Sequence, residues 1–263
     1  MAPSYLFNSQ ELATFARFVA PDTLFAFDLD GTLAPIVEEY DAAEVAEPVR
    51  ATLQRLVQLA KVVVITGRSR KDAEAILGFE PHLVIGNHGA EWPSDNDTGN
   101  REVVERCLKW KAQLQDLLSD EQGVEIEFKG ESLTLHYRKA ADPDKTLARL
   151  HAAVDALEPG ARRFGGKFVV NVVPLEALDK GDALAAAMER LGSPRAVYFG
   201  DDETDEEIFR LKRDDVFGVH VGKNDGTAAA YYLNQQSEML GLLNSMVGIL
   251  ESALLEVAVG EGR

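Results

Sequence analysis

The chain has 263 residues, of which 46% are hydrophobic and 27% are charged, so it can bury the core of one large domain or of a domain with an insertion. Its net charge of −17 argues against nucleic acid or an acidic membrane surface as a partner, since both reward clustered lysine and arginine. The same field would repel an anionic substrate. An anion site would therefore need a metal ion or a few well-placed cations.

The composition also predicts where the protein works. No run approaches the roughly 18 apolar residues that span a bilayer, and residues 1–10 lack the basic-then-apolar plan of a signal peptide. The one cysteine, Cys107, cannot form an internal disulfide and suits a reducing compartment. We therefore predict a cytoplasmic protein with no membrane partner, in which Cys107 fills the core as part of an apolar stripe with Val103, Trp110, Leu114 and Leu117.

Strand and helix patterns alternate in the first and last thirds of the chain. The predicted strands are 24–29, 61–66, 83–86, 195–200 and 216–221. An apolar stripe from Val49 to Ala60 predicts a helix between the first two strands. This alternation predicts parallel pairing in a layered α/β core, and the nearly continuous apolar strands predict helices on both faces.

The middle of the chain follows a different pattern. Its predicted elements are a polar loop at 93–100, a helix at 103–118, strands at 124–128 and 132–137, a helix at 144–157 and a strand at 167–173. The order α-β-β-α-β predicts a small α+β unit inserted into the core. The predicted domains are core residues 1–98, an inserted cap at 99–175 and the rest of the core at 176–263. The last part contains predicted helices at 181–191 and 239–257.

Two acids follow the first predicted strand directly. In an open α/β sheet, ligands bind beyond the carboxyl ends of the strands. Asp28 and Asp30 stand there, and their i, i+2 spacing places both carboxylates on one side of the extended backbone. Paired carboxylates repel, so the pair indicates a bound cation or divided roles. One acid can attack phosphorus to form an aspartyl-phosphate, while the other protonates the leaving oxygen and later activates water.

Three other positions complete this pattern. The second predicted strand leads into Thr66-Gly67-Arg68, where a hydroxyl and a backbone N–H precede a helix and suit a phosphoryl oxygen. Lys180 opens the helix after the insertion and is the cation best placed to balance the acids and the phosphoryl group. The fourth predicted strand ends in the acidic run 201–207, which with the first acid pair forms an oxygen-rich cluster suited to a hard ion such as Mg²⁺.

In chain order these four motifs resemble those of the haloacid dehalogenase superfamily. They are DLDGTL at 28–33, Thr66, Lys180 and GDDETD at 200–205. The resemblance implies a Rossmann-like parallel-sheet core, an aspartyl-phosphate intermediate, Mg²⁺ and a cap inserted after the third strand. We expect Asp28 as nucleophile and Asp30 as acid and base. The expected metal site is Asp28, the Asp30 backbone carbonyl and Asp201, with Asp202 and Asp205 orienting metal-bound waters.

Further stretches are similar to trehalose-6-phosphate phosphatases over most of the chain, namely DLDGTLAPI at 28–36, GNHGAE at 86–91 and HYR at 136–138. That family's cap grips the disaccharide through a Glu-x-Lys pair, an arginine and a Gly-Lys-x-x-x-Glu segment. The resemblance therefore implies substrate contacts from Gly67, Arg68, His88, Glu127, Lys129, Arg138, Lys167 and Asn171. Two linkers, near 92–100 and 174–179, suggest that the cap closes over the substrate by a hinge.

Two positions depart from the family pattern. Asn171 stands where the family has glutamate, and Val173 replaces the usual arginine before Pro174. An amide still hydrogen-bonds a hydroxyl, but as an uncharged donor and acceptor. The substrate is therefore open between trehalose 6-phosphate, sucrose phosphate, and glucosyl- or mannosyl-phosphoglycerate. A sugar phosphomutase and a sugar-phosphate sensor without turnover are the other classes. We take a monomer as the working assumption.

Overall fold

The computed structural model describes residues 2–37, 43–93, 101–166 and 168–260, with side chains as far as residue 255. The described strands are β1 (Ser4–Tyr5), β2 (Thr23–Phe27), β3 (Lys61–Ile65), β4 (Leu83–Ile85), β5 (Glu125–Phe128), β6 (Leu133–His136), β7 (Ala161–Gly166), β8 (Val169–Pro174), β9 (Arg195–Gly200), β10 (Val216–Val221) and β11 (Tyr231–Leu233). The described helices are α1 (Ser9–Ala16), α2 (Glu47–Leu59), α3 (Arg70–Leu77), α4 (Arg101–Leu117), α5 (Pro143–Asp155), α6 (Lys180–Leu191), α7 (Glu206–Phe209) and α8 (Met239–Gly260).

A parallel sheet of seven strands forms the core. Its order is β1-β11-β10-β9-β2-β3-β4, and neighbouring strands pair in parallel throughout. Every residue of β2 is buried, as expected for a strand covered on both faces. Because β9 and β3 flank β2, the carboxyl ends of these three strands meet at one edge, which is where ligand crevices form in such sheets.

Helices cover both faces of this sheet. On one face α1, α2 and α8 contribute Phe15, Leu53 and Met246 to a large apolar cluster. On the other face α6 and α7 contribute Leu184 and Ile208 to a second cluster. Each buried side chain of this size stabilises the fold by about 1.5–3 kcal/mol relative to exposure. The predicted parallel α/β core with helices on both faces is confirmed.

The middle of the chain forms a separate antiparallel sheet of order β5-β6-β8-β7. One of its faces packs against α4 and α5 and encloses an apolar cluster that includes Cys107, Trp110 and Leu114. Burial raises the pKa of the Cys107 thiol to about 12, in keeping with its predicted role as core filler. The cap is therefore a two-layer unit with its own core.

Several predicted details are wrong. The cap contains one strand more than the predicted α-β-β-α-β order, because β7, with the sequence ARRFGG, has two glycines and two arginines and gives a weak strand signal. Leu117 is 41% exposed and Leu118 takes its place in the cap core. In α8, the helix predicted at 239–257, Leu242, Met246 and Leu250 are buried, whereas Leu254 at the same helical spacing is 48% exposed. The buried stripe therefore ends before the helix does. Most of the predicted loop 93–100 lies outside the described residues, and the predicted domain limits stay a prediction.

One described segment, Gln236–Leu255, has the length and composition of a membrane span, with a mean hydropathy of 1.3. This is an exception to the expectation from composition. This is weak evidence for a membrane span, because the core helix of a soluble protein can have the same length and composition. In this structure α8 contributes Met239, Leu242 and Leu243 to the core cluster that covers one face of the parallel sheet.

Candidate active site

The adjoining carboxyl ends of β2, β3 and β9 bring together side chains that lie far apart in the sequence. Asp28 follows β2, Thr66 follows β3 and Asp201 follows β9. The Asp28 N–H donates to the Phe199 carbonyl at 2.8 Å, which ties the end of β2 to the neighbouring strand. Asp28 is 5% exposed and Thr66 is 1% exposed. The structure thus places these motifs together at one edge of the sheet, as the sequence predicts.

Lys180 is buried at the centre of the site. Its Nζ donates to Asp28 Oδ1 at 2.8 Å and to Asp205 Oδ1 at 2.7 Å. Burial alone would lower the pKa of Lys180, but the two carboxylates outweigh burial and raise it, so the side chain carries its positive charge. The backbone N–H of Lys180 donates to Glu207 Oε2 at 3.1 Å, which fixes the first turn of α6.

Asp205 is fully buried and both of its oxygens are engaged. Besides Lys180, its Oδ1 accepts from the Tyr198 hydroxyl at 2.6 Å, while Oδ2 accepts from the Asp202 N–H at 2.8 Å. The exposed Asp202 carboxylate accepts instead from the Glu203 N–H at 2.7 Å and caps the short turn that follows β9. Asp205 therefore orients Lys180, whereas the Asp202 carboxylate caps a turn.

A cluster of three carboxylates could hold a metal ion. Asp28, Asp201 and Asp205 each offer an oxygen, and these oxygens lie within 4.8 Å of one another. Among the residues that the structure describes, Asp201 Oδ1 is buried and has no hydrogen-bond partner. A Cβ at Gly31 would overlap the same carboxylate, so glycine is required there. Burial and then the neighbouring acids raise the pKa of Asp201 to about 9, and burial raises that of Asp28 to about 7. A buried carboxylate oxygen that no described donor contacts, beside another acid, fits a hard cation.

These pKa values give a prediction for metal binding and pH. An acid whose pKa is higher in the folded protein than in the unfolded chain holds its proton preferentially in the folded state. The metal-free protein should therefore lose stability as pH rises from about 4 to the folded pKa of Asp201, about 9. Mg²⁺ binds the deprotonated carboxylates, so we expect the increase in Tm on adding Mg²⁺ to be larger at pH 8 than at pH 5.

Thermal unfolding with and without Mg²⁺ tests this expectation. Asp201→Asn should raise the Tm of the metal-free protein at pH 8 and remove most of the increase caused by Mg²⁺. Asp116→Asn makes the same change of charge on the exposed surface of α4 and should do neither. An equal Mg²⁺ effect at both pH values would contradict the proposed site.

Asp30, the predicted acid and base, is held by Arg68. The Arg68 Nε and Nη2 atoms donate to the two Asp30 oxygens, both at 2.7 Å. Arg68 is 4% exposed, whereas the Asp30 side chain is 35% exposed. Such a two-point pair fixes orientation as well as charge. In this structure the Arg68 side chain thus binds Asp30, and its predicted contact with substrate stays a prediction.

Gly67 and His88 lie side by side next to Thr66. The His88 N–H donates to the Thr66 carbonyl at 2.8 Å, and a Cβ at Gly67 would overlap the His88 ring, so only glycine fits. Burial, followed by the charges of Lys180 and Lys129, lowers the pKa of His88 well below its usual value, and the ring is therefore neutral. His88 Nδ1 is buried, and no described residue hydrogen-bonds it.

The cap presents a polar face to this crevice. One row across its sheet pairs Glu127 with Thr134, Thr134 with Asn171, and Asn171 with Phe164, so these four side chains share a face. Phe164 meets the His88 ring edge-on with 4.8 Å between centroids. This face therefore looks towards the core.

Lys129 links the cap to residues 66–68, the segment predicted to hold a phosphoryl oxygen. Its Nζ donates to the Gly67 carbonyl at 3.2 Å and lies 3.7 Å from Glu127 Oε2. Glu127 Oε2 is in turn 2.8 Å from His136 Nε2. Burial lowers the pKa of Lys129 despite the opposing charge of Glu127. Both members of the predicted Glu-x-Lys pair thus lie on the face that looks towards the core.

The other predicted cap residues are placed differently. Asn171 is 5% exposed, and its Oδ1 accepts from the Thr134 hydroxyl at 2.8 Å, so the sheet itself uses part of its hydrogen-bonding capacity. Arg138 is exposed beyond the end of β6, the opposite end from the hairpin that carries Lys129. The structure does not bring Arg138 to the crevice. Lys167 lies outside the described residues.

Several contacts at the site have no clear signal in the sequence. Tyr198 lies in an apolar strand and reads as core, although a buried phenol hydroxyl usually needs a partner. The Ser132 hydroxyl donates to Asn87 Oδ1 at 2.8 Å and joins the cap hairpin to the core through two buried side chains. Phe164 lies in β7, the strand that was not predicted. Each of these contacts depends on tertiary pairing.

Comparison with known proteins identifies the family. The family described as Trehalose-phosphatase matches residues 26–237. Probable trehalose-phosphate phosphatase D of Arabidopsis thaliana is 28% identical over 93% of this chain and 72% of that protein. The trehalose-phosphate phosphatase of Mycobacterium ulcerans is 30% identical over 85% of this chain, which spans 62% of that relative.

Solved structures agree with this assignment. An Aspergillus fumigatus trehalose-6-phosphate phosphatase has a TM-score of 0.67 and 28% identity, covering 94% of this chain and 99% of its own. The C-terminal domain of a Candida albicans trehalose-6-phosphate phosphatase shares the fold, with a TM-score of 0.73 over 95% of this chain and 99% of its own at 23% identity. The predicted fold class and the predicted assignment to phosphoric monoester hydrolases are confirmed. The chain belongs to the trehalose-phosphatase family.

Proposed function

We propose that this chain hydrolyses trehalose 6-phosphate to trehalose and inorganic phosphate through an aspartyl-phosphate on Asp28. The observation that carries the proposal is the buried contact of 2.8 Å between Asp28 and Lys180. Asp201 Oδ1 lies in the same acid cluster and has no hydrogen-bond partner in the described part of the chain. A nucleophilic carboxylate, a fixed cation and an acid suited to a metal stand together, as phosphoryl transfer requires.

Asp28 and Lys180 act first. Lys180 holds Asp28 Oδ1, so the other oxygen of Asp28 is the one that attacks phosphorus as the bond to the sugar oxygen breaks. The Lys180 ammonium and the Thr66 hydroxyl hold the phosphoryl oxygens as their charge grows. Asp30 gives a proton to the departing sugar oxygen and then takes one from the water that hydrolyses the aspartyl-phosphate. For both steps its carboxylate has to turn from Arg68 towards the reacting oxygen.

The acid cluster supports Mg²⁺ as the cofactor. Asp28, Asp201 and the Asp30 backbone carbonyl would hold the ion, and Mg²⁺ bound there would neutralise charge on the phosphate oxygens. Because both Asp205 oxygens already accept hydrogen bonds, Asp205 would act through Lys180 and through water. Asp202 would act at most through water.

A panel of phosphate-release assays tests the substrate. Trehalose 6-phosphate should give the highest kcat/KM in the presence of Mg²⁺, compared with sucrose 6-phosphate, glucosyl- and mannosyl-phosphoglycerate and glucose 6-phosphate. Asn171, with its Oδ1 held by Thr134, is the reason to include the phosphoglycerates, because its amide can donate to a substrate oxygen. A clear preference for another member of the panel would overturn the choice of sugar and leave the phosphatase chemistry intact.

Lys129→Ala separates sugar binding from chemistry. We expect KM for trehalose 6-phosphate to rise about tenfold or more, since a buried ammonium that hydrogen-bonds the substrate is lost. KM for p-nitrophenyl phosphate, which has no sugar, should change little. Lys139→Ala removes an exposed lysine from the same cap and should leave both values unchanged. Equal effects of Lys129→Ala on the two substrates would argue against a sugar-binding role.

The proposal also covers the domains, the compartment and the oligomeric state. We propose that residues 99–175 act as the cap over core residues 1–98 and 176–263, and that the protein works in the cytoplasm as a monomer on a small sugar phosphate. The hydrogen bond between Ser132 and Asn87 and the ring contact between Phe164 and His88 support a cap that is closed on the core in this structure. Opening would have to break both contacts.

A further inference from the structure

Arg162 lies on β7 and reaches the linker through which the chain leaves the cap. Its register partner is Val173, and the side chains at these two positions face the same side of the cap sheet as Phe164 and Asn171, towards the core. The Arg162 Nη2 donates to the Ala177 carbonyl at 2.9 Å. Ala177 lies between β8 and α6 in the predicted hinge segment 174–179. Arg162 therefore joins the cap sheet to the segment that leads back into the core.

Local stability does not account for this arginine. Its Nε is buried, and it has no hydrogen-bond partner among the residues that the structure describes. A buried donor left without a partner destabilises the folded protein. A side chain kept only for packing would not carry that cost. Arg163, the next residue, faces the opposite side of the sheet and pairs with Asp155 on the surface at 2.9 Å.

The segment held by Arg162 leads directly to Lys180. The Ala177 N–H donates to the Pro174 carbonyl at 3.1 Å and closes a turn. Asp179 then caps α6 by accepting from the Asp182 N–H at 2.8 Å. Lys180 is the next residue, and its backbone N–H is held by Glu207.

We propose that Arg162 is a positioning residue for Lys180. By anchoring the segment 174–179 to the cap sheet, it sets the start of α6, and with it the direction in which the Lys180 ammonium reaches Asp28 and Asp205. The inference rests on the proposed phosphatase function. It concerns phosphoryl transfer, so it does not depend on which sugar the cap binds.

Arg162→Leu tests the proposal by its effects on two substrates. We expect kcat to fall about 10- to 100-fold for both trehalose 6-phosphate and p-nitrophenyl phosphate, because a small misplacement of a catalytic group has effects of that size. The KM values should stay close to those of the wild type. Arg163→Leu is the matched control on the opposite face and should keep the wild-type kcat. Arg162→Lys keeps the positive charge and a hydrogen-bond donor, so its kcat should lie between those of Arg162→Leu and Arg163→Leu.

A swap of positions gives a rescue test. Arg162→Val combined with Val173→Arg moves the guanidinium to the neighbouring strand, on the same face and into the space that the first change vacates. We expect the double variant to recover at least part of the kcat lost in Arg162→Val, with recovery for both substrates.

Hydrogen exchange measured by mass spectrometry detects the loss of the anchored segment without any assay of catalysis. Amides in 175–184 should exchange faster in Arg162→Leu, while those of α4 and α5 keep their wild-type rates. Three results would each overturn the proposal. Arg162→Leu could keep the wild-type kcat, or it could raise only KM for the sugar phosphate. Arg163→Leu could lose as much kcat as Arg162→Leu. If the wild type releases phosphate from neither substrate, the proposed function fails, and the exchange rates at 175–184 alone decide the role of Arg162.

Discussion

Asp28→Asn is expected to lower kcat for phosphate release by roughly four orders of magnitude or more, the scale of loss seen when a catalytic nucleophile is removed. An amide in place of the carboxylate cannot form the acyl phosphate on which the reaction depends. Asparagine keeps the shape of the side chain, and Lys180 keeps Asp205 as its partner, so the fold should persist. Phosphate release under saturating substrate and Mg²⁺ measures the effect.

Two further observations make this result specific. After an acid quench, the wild-type peptide that contains Asp28 should carry a phosphoryl group in the mass spectrum, and the variant peptide should not. Asp22→Asn changes an exposed acid that pairs with Arg195 and should keep the wild-type rate. Appreciable phosphate release by metal-loaded Asp28→Asn, free of wild-type contamination, would contradict the assignment of Asp28 as the nucleophile.

Lys180→Met should damage both activity and stability. A fixed cation at the transferred phosphoryl group is worth about 10²–10³ in kcat, by analogy with other preorganised donors. The change also leaves Asp28 and Asp205 buried without their common partner, and breaking a buried pair in this way costs about 3–5 kcal/mol. Because protonation relieves an unpaired carboxylate, the loss of stability should be greater at pH 8 than at pH 5. Urea unfolding at both pH values measures it.

A double variant divides the two effects. Lys180→Met combined with Asp205→Asn removes one of the stranded charges and should recover part of the stability without recovering kcat. Lys139→Met breaks an exposed pair with Glu125 and should change neither property. If Lys180→Met were as stable as the wild type at pH 8, the buried ammonium would not be balancing the acids as the structure indicates.

The central part of the site could be predicted because parallel strands impose it. The carboxyl ends of neighbouring strands meet, so acids that follow β2 and β9 and a hydroxyl that follows β3 converge whatever the loops do. Lys180 could be assigned as their counter-charge because a cluster of buried acids needs one. These deductions use local sequence and one topological rule.

The rest depends on contacts between distant segments, which local sequence does not specify. Nothing near Arg68 indicates that its side chain pairs with Asp30, 38 residues earlier. From the sequence alone, Asn171 is expected to have a free amide. The pairing of β6 with β8 brings Thr134 beside it, and the Thr134 hydroxyl donates to Asn171 Oδ1. β7 carries Arg162 and Phe164, but its glycines and charges hide it from any pattern of alternating apolar residues. The least predictable positions are therefore those where cap and core meet.

The buried thiol of Cys107 makes motion of the cap accessible to measurement. With a pKa of about 12 and no exposure, this single cysteine offers almost no thiolate to a maleimide at neutral pH. Pairs of cysteines introduced at exposed positions, one on the cap and one on the core, could be labelled with spin or fluorescent probes without first removing a native residue. Distances between such probes, with and without inorganic phosphate, would report how far the two parts separate in each turnover.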